Sequence, residues 1–99
     1  MKSSPLSVRS EAEAEIQEAY QWYETQRLGL GDEFLVAVRE ALAAVERSPR
    51  LYPIVRGSVR RALVSHFPYS ILYLAEPENT TVMACFHWKR NPQRWYSRH

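Results

Sequence analysis

Phe67-Pro68-Tyr69-Ser70-Ile71-Leu72-Tyr73, followed after a turn by Thr80-Thr81-Val82-Met83-Ala84-Cys85-Phe86-His87-Trp88, decides how this 99-residue chain is read. Both runs are rich in aromatic and branched residues, and Glu76-Pro77-Glu78-Asn79 between them has the composition of a hairpin turn. Alternation in the second run places Val82, Ala84, Phe86 and Trp88 on one face, and Thr81, Met83, Cys85 and His87 on the other. Upstream, Val59 to Phe67 reads as a strand that stops at Phe67-Pro68, and Tyr69 to Ala75 as the next. Short connections make these three strands antiparallel neighbours. Pro5-Leu6-Ser7-Val8-Arg9 adds an edge strand, a place where Pro5 is tolerated. The stretch holding Pro49, Pro53 and Gly57 reads as a loop.

The first half has a different period. Ala12, Ile16, Ala19, Tyr20 and Tyr23 recur at helical spacing, and Ser10 with Glu13 has the form of a capping box. Glu11, Glu13 and Glu15 suit the positive end of that helix dipole. Gly29-Leu30-Gly31 breaks the pattern. Asp32 is then the expected cap of a second helix, whose stripe is Phe34, Val38, Ala41, Leu42 and Val45 and whose stop is Ser48-Pro49. Glu11, Glu15 and Glu18 share the face opposite the first stripe and read as solvated carboxylates, not as paired catalytic acids. The fold class is therefore α+β. A single domain over 1–99 has an N-terminal antiparallel helix hairpin packed on a three- to four-stranded, mainly antiparallel sheet. A short basic and aromatic tail follows, and the sheet face away from the helices is expected to be open to a polyanion.

Composition narrows the function classes. At 45% hydrophobic and 24% charged the chain is ordinary globular material. No apolar run approaches the ~18 residues of a membrane span, and the first ten residues lack the apolar core of a signal peptide. Cys85 is the only cysteine, so an intrachain disulfide and a cysteine metal cluster are excluded, and a cytoplasmic setting is expected. The net charge of +2 hides an asymmetry: residues 1–50 carry six basic and nine acidic side chains, and residues 51–99 seven and two. The basic groups of the second half fall in two clusters, Arg56, Arg60 and Arg61, then Lys89, Arg90, Arg94 and Arg98. Trp88, Trp95 and Tyr96 are interleaved with the second. Such a half suits a polyanion or an acidic protein segment.

No glycine-rich phosphate loop, nucleophile elbow or metal-ligand spacing is present, so no cofactor is expected. What remains is cation and aromatic chemistry. Metal-free RNA cleavage needs a group to deprotonate a 2′-hydroxyl, charge to neutralise the phosphate, and an acid for the leaving oxygen. Arg60, Arg61, Lys89 and Arg90 are candidates for the phosphate, and His87 or Tyr96 for the protons. Trp88, Trp95 or Tyr96 can stack on an unpaired base, worth about 1–3 kcal/mol per base. The alternative for His87 is a strand-end residue that orders the tail.

The helix hairpin, the basic strand, Phe67-Pro68-Tyr69-x-Ile71-x-Tyr73 and a last strand ending His87-x-x-Arg90-x-Pro92-x-x-Trp95 together resemble the RelE/ParE superfamily of toxins. Ala12, Tyr23, Phe34 and the Ser48-Pro49 stop also fall where that family has its hairpin residues, and the resemblance covers the whole chain. It implies the toxin of a bacterial toxin–antitoxin module, often named a plasmid stabilisation protein, bound by a cognate antitoxin in a hetero-oligomer. RelE-like members cut messenger RNA on the ribosome, whereas ParE-like members lack that catalytic set and poison DNA gyrase. The resemblance matches Arg61, Arg90 and Tyr96 to nuclease positions, with His87 beside them. Arg56, Arg60, Lys89, Arg94, Trp88 and Trp95 are left for nucleic acid or antitoxin. The position after Phe67-Pro68-Tyr69 is usually arginine in the nucleases and is Ser70 here, which removes a phosphate contact. Nuclease, gyrase poison and a non-toxic member that only pairs with its antitoxin or dimerises all remain open.

Overall fold

Apolar spacing in the first half produces two antiparallel helices, and the residues after them form one sheet. The structure, a computed structural model, describes residues 5–89. In chain order the elements are β1 (Leu6–Val8), α1 (Ser10–Gln26), α2 (Leu30–Arg47), β2 (Ile54–Arg56), β3 (Val59–Leu63), β4 (Tyr69–Glu76) and β5 (Asn79–His87). The sheet order is β1-β5-β4-β3-β2, antiparallel throughout except for the parallel β1–β5 pair.

Both helix starts differ from expectation. Ser10 lies inside α1, Arg9 is the N-cap, and the Ser10 hydroxyl points at the Glu11 carboxylate 3.5 Å away, so no capping box forms. The cause is the strand before it: the Arg9 N–H donates to the Val82 carbonyl (2.9 Å), and its own carbonyl accepts the first helical bond from Glu13. Sheet pairing thus fixes the point at which the helix begins. Asp32 is not the cap of α2 either. The cap position is Gly29, three residues earlier, and the Glu24 carboxylate of α1 accepts from the N–H groups of Gly29 (2.9 Å) and Gly31 (2.7 Å). A carboxylate from the neighbouring helix does the work of a local cap at the positive end of the dipole. Gly29 makes the turn at φ 93°, and a Cβ on Gly31 would stand 2.7 Å from the Tyr20 carbonyl. The close approach of the two helices therefore requires glycine at 31.

The helix stripes bury as their spacing implies. Ala12, Ala19, Tyr23, Phe34, Val38 and Val45 enter a core with Tyr69, Ile71 and Tyr73 of β4. Tyr23, Phe34, Phe67 and Tyr69 form a ring cluster with centroid separations of 4.9 to 6.1 Å, mostly edge to face. Each such pair adds about 0.5–1.5 kcal/mol beyond its burial. The Phe67-Pro68-Tyr69 motif is thus the hinge of the core. Tyr73 donates its hydroxyl to the Pro49 carbonyl at 2.7 Å, and burial is the main reason its pKa rises from 10.0 to about 12.

Three further differences lie in the sheet. β3 ends at Leu63 and not at Phe67, because residues 64–67 make a tight turn with His66 at φ 70°. Ile54–Arg56, expected as loop, pairs with β3 around the Gly57-Ser58 turn, which makes five strands. Most consequential is a bulge. Leu72 faces Ala84 while Tyr73 faces Val82, so Met83 is an extra residue in β5. The expected alternation breaks there. Val82 and Cys85 both belong to the helix-side core, whereas Met83, Ala84 and Phe86 join Val59 and Leu72 on the far face. Glu15 differs as well. Unlike exposed Glu11 and Glu18 it is half-buried, and it accepts the Cys85 N–H at 3.0 Å.

Candidate functional site

The sheet face away from the helices is the first place to look for a site. Val59 from β3, Leu72 from β4, and Met83, Ala84 and Phe86 from β5 form a second apolar cluster there, with Leu74 against it. These side chains are buried, at 0 to 9% exposure, so this part of the far face is not open to a polyanion as expected. Ser70, in register between Leu63 and Phe86, lies on this face fully buried, and its hydroxyl has no hydrogen-bond partner. The departure from arginine at this position is therefore more than a missing charge. The site around residue 70 is shaped for a small, uncharged side chain.

Alternation along β3 sorts the basic residues. Arg61 stands opposite Leu72, and Arg56 of β2 opposite Val59, so both rise from the far face and are exposed. Arg60 points the other way. One of its terminal nitrogens donates to the carbonyls of Tyr52 (2.6 Å) and Arg50 (3.3 Å), tying the loop before β2 to the sheet. The structure thus brings Arg56 and Arg61 to one face and does not bring Arg60 with them.

His87 is on the helix-bearing side. It pairs with Tyr69 across the strands, its ring 5.3 Å from the Tyr69 ring at 70°. Its Nδ1 accepts the Lys89 N–H at 3.2 Å. The Trp88 N–H donates to the Pro68 carbonyl, and the Lys89 Nζ lies 5.3 Å over the Trp88 ring. His87, Trp88 and Lys89 therefore order the exit of the chain from the sheet around one another. His87 and Arg61, expected in one site, are on opposite faces. Arg90, Arg94, Trp95 and Tyr96 lie outside the described residues.

Sequence reasoning passed over the β2 edge. Leu51, Ile54 and Val55 are exposed by 73%, 54% and 39%. A signal was present, since no aspartate or glutamate occurs between Glu46 and Glu76. Cys85, by contrast, is inert: burial first, and the Glu15 charge second, push its thiol from 9.0 up to about 12. Among the described residues no group of three His, Cys, Asp or Glu side chains is placed to hold a metal ion. No described helix is long and apolar enough to cross a membrane.

Comparison by sequence finds no matching family model and no matching curated protein. Comparison by structure does find a match. A chain of the chromosomal ParDE toxin–antitoxin system of P. aeruginosa superposes with a TM-score of 0.77 at 12% identity, covering 86% of this chain and 96% of that one. The helix hairpin on a mainly antiparallel sheet, expected from the sequence, is therefore a fold shared with that chain.

Proposed function

We propose that this chain is the toxin of a type II toxin–antitoxin module, working in the cytoplasm and neutralised by a cognate antitoxin in a hetero-oligomer. We further propose that it arrests growth by binding a protein target, DNA gyrase, and not by cutting messenger RNA. The shared fold with a ParDE system chain supports the first statement. The observation that carries the second is the separation of Arg61 from His87 by the sheet. Proton transfer requires heavy atoms within about 2.6–3.2 Å of the reacting group. A phosphate held by Arg61 is on the wrong side of the sheet for His87. Arg60 donates to loop carbonyls, and Ser70 is buried without charge, which removes two more phosphate contacts.

The test follows protein and DNA synthesis by radiolabel incorporation after brief induction in a bacterium. An early stop in DNA synthesis, with cleaved DNA trapped on gyrase, is the expected result. An early stop in protein synthesis with cut messages would overturn it in favour of the ribosome-dependent nuclease. No effect on either would leave a member that only binds its antitoxin or itself.

A further inference from the structure

The two helices flank a groove of about 270 Å³ beside Val8, at the end of β1. That volume lies just under the ~300–1,000 Å³ of pockets that hold drug-sized ligands, so it suits a smaller guest. Its floor is aliphatic: Ile16 comes from α1, and Leu35, Val38 and Leu42 from α2. Glu13 and Gln17 of α1, one turn apart, line it together with Arg39 of α2. All three are exposed, and among the described residues none has a side-chain ion pair or hydrogen bond. A carboxylate and a guanidinium thus line one small groove without satisfying each other.

We propose that this groove binds a free apolar α-amino acid of leucine size. Its α-ammonium meets the Glu13 carboxylate, and its α-carboxylate takes the forked guanidinium of Arg39. Its side chain lies on Ile16, Leu35, Val38 and Leu42, where burial of apolar surface supplies the attraction. The Gln17 amide both donates and accepts, so it serves either charged end. Charge selects this ligand over others. A fatty acid sets its carboxylate against Glu13, and an alkylamine sets its ammonium against Arg39. A residue within a peptide chain fills the floor but has lost both charged ends.

The test titrates L-leucine against the full chain by calorimetry, with backbone amide shifts followed by NMR. Saturable binding at millimolar leucine is expected, with shifts in α1 around Glu13 and in α2 around Arg39. Removing either ligand charge, as in N-acetyl-leucine or leucinamide, should weaken binding about tenfold or more. Glu13→Gln and Arg39→Gln should each cost a similar factor. Glu18→Gln, at an exposed α1 position that does not line the groove, should cost nothing. In the Glu13→Gln protein N-acetylation should no longer matter, because the partner of the ammonium is gone. Far-UV circular dichroism confirms that the variants fold. Absence of saturable binding would overturn the proposal, and so would unchanged affinity in Glu13→Gln and Arg39→Gln. Equal affinity for leucine and N-acetyl-leucinamide would overturn it too, in favour of a side chain of a partner protein. Neither growth arrest nor an antitoxin enters the readout, so this proposal and the gyrase reading fail separately.

Discussion

Replacing His87 by phenylalanine distinguishes a proton-transfer residue from a strand-end residue. Phenylalanine keeps the edge-to-face contact with Tyr69, worth about 0.5–1.5 kcal/mol. It loses the Nδ1 acceptor for the Lys89 N–H, an exposed bond of 3.2 Å. Such a bond is worth about 0.5 kcal/mol. In a chain of this size that lowers the melting temperature by roughly 2–4 °C, which is too little to unfold the domain at growth temperature. Loss of a general acid or base costs roughly a hundred- to ten-thousandfold in rate. The assay is plating efficiency across graded induction, with melting by circular dichroism on the purified variant. His87→Phe should kill at the same inducer level as the parent. If the variant melts within a few degrees of the parent and has lost its toxicity, the face-separation argument is wrong and His87 belongs to the chemistry.

Three other outcomes test the packing on which that argument rests. Glu24→Ala leaves two N–H groups at the start of α2 without their acceptor; it should cost about 1–2 kcal/mol, read as a fall in melting temperature of roughly 5–15 °C, with Asp32→Ala near zero. Equal effects of the two would restore Asp32 as the cap. Ser70→Ala and Thr80→Val each remove a buried hydroxyl that has no partner, and should raise stability by about 1 kcal/mol in urea titrations. A loss in either variant would mean that its hydroxyl is bonded. Cys85 and Tyr73 both hold their protons more tightly when folded, so the stability they contribute is complete below their unfolded values of 9.0 and 10.0. It is lost as pH rises through about 12. At pH 9 the folded thiol should be alkylated roughly a thousandfold more slowly than the same thiol in urea. Comparable rates would place Cys85 outside the core.

Periodicity carried the elements, and tertiary contacts decided their ends. The stripes of α1 and α2, the Ser48-Pro49 stop and the Pro77-Glu78 turn were all legible, because each depends on residues a few positions apart. The caps were not. Glu24 reaches Gly31 only because two helices fold against each other, and Arg9 begins α1 only because β5 holds its N–H. β2 was missed because three residues between Pro53 and Gly57 carry too little pattern to compete with two turn formers. Among site residues, Arg60 and Arg61 are adjacent in sequence, and their opposite roles follow from strand alternation alone. The basic, acid-free stretch from 47 to 75 was visible too, but only the exposure of Ile54 and Val55 gives it meaning.

The bulge at Met83 connects the fold to the functional reading. Val82 faces the helices. Were alternation to continue unbroken, Ala84 and Phe86 would face the helices as well, and His87 would emerge on the far face, the face of Arg61. One extra residue reverses every side chain after it. Phe86 then completes the apolar far face, while Cys85 and His87 turn to the helix side. Glu15 holds the reversed register by accepting the Cys85 N–H just past the bulge, where β1 no longer covers the strand. A half-buried glutamate in α1 and a surplus methionine in β5 therefore decide together which residues share a face with Arg61. Neither is basic or aromatic, so a search for catalytic residue types passes over both.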